Sequence, residues 1–337
     1  MTLKKELIGI LCLVTALVIF SVFAGKVLTT KRLDYGATWD MYLKEPENTV
    51  DVLFYGSSLA YCDIAPGAIY DETGLATYVM AGPEQSFAVT YRYLLESCRT
   101  QHPQAVFIEA TRIAAPTNNR SLKVNLTYMP WTKNRLIPTF EEAEGNERWG
   151  LLFPLYGYHD RWDNLTADDW RIGFFGYEAD PMAGYTPLDR VFEAEEPYFE
   201  DVTELGEGYA DGLKYAELIA EFCREENIQL VFFFSPVTQR INAESMAQIQ
   251  SDLNALGIAH IDFNEEREAI GLDRLTDFGD NQHTNLTGAD KFSRYLAHRL
   301  SDYGVAPGGQ ADAVLWQQRA DAFAQKLAEA AEGGNES

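Results

Sequence analysis

The chain opens on one long apolar run and then alternates short apolar runs with stretches of helical period. Leu7 to Gly25 carries no charge and follows Lys4 and Lys5, which is long enough to cross a bilayer as a helix. After a polar connector, the runs Val50–Tyr55, Ala76–Met80, Ala105–Ala110, Leu230–Phe234 and Ala259–Phe263 read as buried strands. Between and after them, Ser86–Cys98, Tyr209–Glu226, Ala243–Leu256 and Gly288–Leu300 place apolar residues on one helical face. Strands alternating with helices predict an α/β domain built on a parallel sheet.

Two segments stand outside that rhythm. Residues 113–205, after the third strand, are rich in aromatics, Pro and Asn, and a segment so long is seldom a bare loop. It is read as a lid over the active-site edge and as the place of substrate recognition. Past Gly308-Gly309, Ala311–Ala331 carries Leu315, Trp316, Phe323 and Leu327 on one face, as a terminal helix docked on the domain does. The expected organisation is a membrane helix over 1–25, a connector over 26–48, the main domain over 49–305, and a terminal helix with a disordered tail (332–337) over 306–337.

Composition narrows the setting. With 337 residues and 46% hydrophobic content the chain can bury a large core. Its net charge of −24 repels nucleic acid and anionic headgroups, which argues against both as ligands of the body, and it also serves solubility. Lys26, Lys31 and Arg32 follow the apolar run, so flanking charge alone does not orient it. Entry by an amino-terminal signal sequence implies an exported body, either on a retained anchor or released by cleavage after Val22-Phe23-Ala24. Outside the apolar run stand Cys62, Cys98 and Cys223, an odd number. Cys62–Cys98 is the one disulfide worth testing, and the alternative is three small buried hydrophobes. No residue cluster argues for a metal, and no cofactor is expected.

The chemistry lies in two distant segments. Gly56-Ser57-Ser58 follows the first strand, where an open α/β sheet exposes a nucleophile at its carboxyl edge. Asp280-Asn281-Gln282-His283 precedes the last helix of the domain, and an Asp three residues before a His can orient the imidazole as a base. Ser58, His283 and Asp280 are therefore the candidate triad. Its oxyanion donors would be the N–H groups of Ser58 and Gly82. In the insertion, His159, Arg161 and Trp162 beside Tyr158 are candidate sugar contacts, with a packed, ion-paired insert as the alternative.

Tyr55-Gly56-Ser57-Ser58, together with Asp280-x-x-His283, Asn285 and Gly288, resembles the SGNH (GDSL-like) hydrolase superfamily. The likeness runs over about Asp51 to Leu300, with the insertion loosely matched. Within that superfamily the chain looks like the exported, membrane-anchored members that handle acyl groups of envelope polymers, such as the D-alanine transfer and alginate O-acetylation proteins. The resemblance implies a flavodoxin-like three-layer sandwich, Ser58 as nucleophile, and Gly82 as the family's glycine after the second strand. It further implies an O-acyltransferase or esterase acting on an envelope polysaccharide or teichoic-acid-like polymer, with a multipass membrane acyl-donor protein as partner. Two departures stand out. Ser57 occupies a position where many relatives carry Asp, and Glu109-Ala110-Thr111-Arg112 replaces the family's Gly-x-Asn-Asp segment. Loss of that Asn leaves an inactive carbohydrate-binding or scaffold protein as the rival reading.

Overall fold

The computed structural model describes residues 2–32, 38–194, 196, 198–199 and 205–333. Part of the connector, the end of the insertion and residues 334–337 of the expected tail lie outside these residues.

Five parallel strands form the central sheet: β1 (Val52–Gly56), β2 (Thr77–Ala81), β3 (Ala105–Glu109), β4 (Gln229–Phe234) and β5 (Ala259–Asp262). Their spatial order is β2-β1-β3-β4-β5, the flavodoxin order, with Tyr55 paired to Met80 on one side and Ile108 on the other. Each strand lies within two residues of the expected run. Because side chains alternate across a strand, Leu53, Tyr55, Val106 and Phe232 feed one core while Val52, Phe54, Phe107 and Phe233 feed the other. Both faces are buried, which is why the runs are apolar throughout.

The first core is roofed by the helices Phe87–Ser97, Gly206–Glu225 and Ala243–Ala255, the second by Ser58–Asp63, Pro66–Thr73 and Leu286–Leu300. The result is a three-layer α/β sandwich. A last helix, Ala313–Gly333, packs on Pro66–Thr73. Its backbone comes so close that a Cβ on Gly67 would lie 2.7 Å from the Arg319 carbonyl oxygen. Arg319 itself forms a buried ion pair with Glu45.

The insertion divides into two parts. Its first part is helical (Asn119–Leu126, Lys133–Glu141, Gly145–Leu152, Ala167–Phe175) and packs between the Phe87–Ser97 helix and the carboxyl end of the apolar helix Thr2–Leu28. Its second part returns extended along the domain. There Ala183 accepts from Val79 N–H at 2.9 Å and Thr186 donates to Tyr61 at 2.8 Å. The returning part lies at the sheet's carboxyl edge, and so does the first helix of the insertion, whose Asn125 donates to the Pro83 carbonyl at 3.0 Å. The later helix Ala167–Phe175 packs on the apolar helix instead.

All four cysteines are free. Cys62 packs in the core on one face of the sheet and Cys98 against the core on the other, so the sheet itself separates the pair considered as a disulfide.

Candidate active site

β1 ends on Gly56, whose φ of +148° and position against β3 both require glycine: a Cβ there would lie 2.6 Å from the Glu109 Cβ. The chain turns at once into the helix Ser58–Asp63, with Ser58 as its first residue. Its N–H therefore precedes the helical hydrogen-bond ladder. The second segment is set by Asn285, which caps the helix Leu286–Leu300 through Thr287 and Gly288 N–H. Gly288 is pressed against Asp277, where a Cβ would sit 2.1 Å from the carbonyl oxygen.

These two segments meet. His283 Nε2 lies 2.7 Å from Ser58 Oγ, and His283 Nδ1 lies 3.0 Å from each Asp280 carboxylate oxygen. Asp280 Oδ1 also accepts from the backbone N–H of Gln282 and His283 at 2.8 and 2.9 Å. Burial would raise the Asp280 carboxyl, but these bonds and the imidazole hold it well below the usual carboxylate range. For His283 burial works downward, yet the Asp280 hydrogen bond and the charges of Asp63 and Asp280 prevail and raise it above its ordinary 6.5. A carboxylate that stays ionised beside a basic imidazole is the electrostatic arrangement of a triad base.

Three participants carry no sequence signal. Asp63 closes the short helix that Ser58 opens, and its Oδ1 accepts from both Thr284 N–H (2.9 Å) and Thr284 Oγ1 (2.8 Å). That carboxylate ties the residue after His283 to the helix bearing Ser58. Complete burial pushes it up to about 7. Arg190, from the returning part of the insertion, reaches Asp280 Oδ2 at 3.3 Å from an exposed position. Glu109, buried beside Gly56 and raised by that burial, accepts from the Thr111 backbone N–H and hydroxyl. It locks the loop where the family pattern would put Asn.

Gly82 N–H points at the Gly56 carbonyl over a long 3.4 Å. A Cβ on Gly82 would fall 1.8 Å from Asn125 Oδ1, so close approach of the insertion accounts for a glycine here. Asn125 supplies no spare donor, since its Nδ2 serves Pro83 and Ser121 carbonyls. Asn118 caps the helix it precedes, and Asn119 accepts from Glu144 N–H.

His159, Arg161 and Trp162 do not join this group. Arg161 pairs with Asp169 at 3.2 Å and donates to the Leu28 carbonyl at the end of the apolar helix. His159 Nδ1 lies 2.7 Å from the Tyr156 carbonyl oxygen, and Trp162 is half exposed. Among the described residues, no cluster of His, Cys, Asp and Glu converges as a metal site.

No protein-family profile matches this chain, and no curated protein matches it. Among solved structures it is similar to an acetyl xylan esterase from the rumen bacterium Butyrivibrio proteoclasticus, at 10% identity and a TM-score of 0.33, over 76% of this chain and 64% of that one. A gut microbial diltiazem-metabolizing enzyme gives 12% identity and a TM-score of 0.29, over 79% of this chain and 49% of that one. The chain spans less than two thirds of either protein, and superpositions this loose carry no argument about its chemistry.

Proposed function

We propose that this is a serine esterase or O-acyltransferase of the SGNH type, with Ser58 as nucleophile, His283 as base and Asp280 as the group that orients it. The observation that carries the reading is the position of His283, within hydrogen-bond distance of Ser58 Oγ on one nitrogen and of Asp280 on the other. The scaffold reading expects Ser58 and His283 to stand apart, and the 2.7 Å contact favours catalysis over it.

In the proposed reaction Oγ adds to an ester carbonyl while His283 Nε2 takes its proton. The tetrahedral oxyanion is held by the Ser58 N–H; Gly82 N–H, which points at the Gly56 carbonyl at 3.4 Å, has to turn from it to act as a second donor. Collapse breaks the ester bond, and the leaving alcohol takes the proton back from Nε2. Acyl-Ser58 is then cleared by water, giving hydrolysis, or by a sugar or polyol hydroxyl, giving transfer. Loss of one oxyanion donor costs ~10²–10³ in rate, and the absent Asn after β3 slows formation and breakdown of acyl-Ser58 alike, whichever acceptor clears it.

The apolar helix supports a setting at a membrane. It has an unbroken candidate span over Lys4–Leu28, exposed from Lys4 to Val22 and packed on the insertion only at its carboxyl end. We read it as a retained anchor with the body exported, and the substrate as acyl esters of an envelope glycopolymer, supplied by a multipass membrane partner. The discriminating experiment is labelling of the full chain with a fluorophosphonate, followed by mass spectrometry. An adduct on Ser58 that is lost in Ser58→Ala and His283→Ala is expected. A folded wild type that takes no label, alone or with its membrane partner, would favour the scaffold.

A further inference from the structure

Where the insertion meets the apolar helix, the surface is built against the habits of a water-facing surface. Phe23 and Phe174 pack with ring centroids 4.6 Å apart and ring planes tilted by 56°, and Gly173 lies on Val27 so closely that a Cβ would be 2.8 Å from it. Beyond that contact the two elements diverge and leave a groove of about 1010 Å³. One wall is the helix from Val14 to Gly25; the other carries Trp131, Phe153, Phe174 and Phe175. Phe175 is 84% exposed, Phe174 60% and Phe153 57%, so their outer faces are bare as well. Large exposed apolar patches mark an interaction surface.

The occupant follows from continuity with the helix. From Val14 to Gly25 a helix rises about 17 Å, close to half of a ~30 Å hydrocarbon core. The groove is thus as long as one leaflet is thick, and one of its walls is itself the candidate span. At its carboxyl end the lining turns polar, with Lys26, Thr29 and Thr30. Lys31 stands there too, its charge offset by Asp169 at 3.8 Å. A molecule with a hydrocarbon tail and a polar head matches that gradient, and the lining there carries both signs, Lys26, Lys31 and Arg135 beside Asp40, as a zwitterionic head requires.

We propose that the helical part of the insertion is a membrane-seated lipid-binding element, whose groove against the apolar helix holds the acyl chain of a zwitterionic phospholipid from the outer leaflet. Trp131, Phe153, Phe174 and Phe175 then lie in lipid and the body is held at a fixed height above it. Sugar recognition falls to the sheet's carboxyl edge. The inference rests on the helix remaining in the bilayer, as read above.

The test uses the full chain in phosphatidylcholine vesicles containing a phosphatidylcholine with a diazirine in its acyl chain, and maps photoadducts by mass spectrometry. Adducts are expected both on the helix between Leu7 and Leu13 and on Trp131 and Phe153. Ser21→Trp, which fills the groove from the helix side, should lower the Trp131 and Phe153 adducts about tenfold relative to those on Leu7–Leu13, and Phe174→Glu/Phe175→Glu should act in the same direction. Adducts confined to the helix overturn the groove while leaving the anchor in place. This is also the result expected if the groove is reserved for a partner's membrane helix. Absence of adducts everywhere overturns the anchor and the groove together. Adducts on Trp131 and Phe153 that neither variant changes overturn the groove as their cause.

Discussion

The carboxyl edge of the sheet and the outer end of the insertion treat burial in opposite ways. At the sheet edge the half-buried and buried groups are polar and matched: Ser58 to His283, His283 to Asp280, Thr284 to Asp63. At the outer end the polar groups are tied up locally, Arg161 on Leu28 and Asp169, and the apolar rings of Trp131, Phe174 and Phe175 face outward. In water these pairings offset the cost of burying their groups, while Ser57 Oγ and Asp63 Oδ2 stay buried there without a hydrogen bond, and the outer end exposes area worth ~25 cal/mol per Å². On the proposed reading the two regions have different surroundings, aqueous substrate at one and lipid at the other. A single insertion serves both, since its extended return carries Arg190 to Asp280.

The largest effect should come from Ser58→Ala, which is expected to lower turnover of a soluble acetyl ester by ~10³-fold or more. Phe175→Ser at the other region should leave that turnover within about twofold, because its exposed ring touches none of the triad. A comparable loss from both would break the division of labour.

Asp280→Asn comes next, with an expected ~10²–10⁴-fold loss as the imidazole loses its orienting charge. The pH profile supplies the sign. His283 acts as base only when neutral, and its proton is held above 6.5, so the acid limb of kcat/KM should lie above that pH. Removing the Asp280 charge and hydrogen bond should move the limb to lower pH.

Asp63 separates positioning from charge. Asp63→Asn keeps an oxygen for Thr284 but removes a negative charge that raises His283, so the acid limb should move down while the plateau stays within a few fold. Asp63→Ala leaves two buried donors unpaired, which costs ~1–3 kcal/mol and should lower the plateau itself. Folded Asp63 keeps its proton up to about pH 7, whereas the unfolded group releases it near 3.8. Its contribution to stability is therefore present at low pH and lost as pH rises through that window, and denaturant curves of the wild type should fall relative to Asp63→Asn over the same range.

Arg190→Ala should have the smallest effect, with turnover changed by less than ~threefold, because an exposed ion pair contributes ~0–1 kcal/mol. Its charge opposes protonation of His283, so the acid limb should rise slightly.

Much of this arrangement was legible in the sequence because it is written locally. The strands are short apolar runs, and Asp280 and His283 share one turn. The order β2-β1-β3-β4-β5 adds what no local pattern holds, namely which carboxyl ends converge. Asp63 and Glu109 were illegible because a buried carboxylate is marked only by its partners, and Thr284 lies 221 positions from Asp63. The sequence left the surroundings of the insertion's aromatics open for a similar reason. They can stack on a sugar or face lipid, and what separates the two is packing on the apolar helix through Gly173 and Phe174.

The 225 positions between Ser58 and His283 also set an order in time. The apolar helix is synthesised before the serine, and the imidazole follows only after the whole sheet and its helices on either side, apart from Leu286–Leu300, have been made. Until β4 and β5 have added to the sheet and Leu286–Leu300 has docked, Ser58 bears an ordinary, unreactive hydroxyl. On the proposed reading, a nascent or truncated chain ending before residue 283 lacks the imidazole and therefore carries no activated nucleophile.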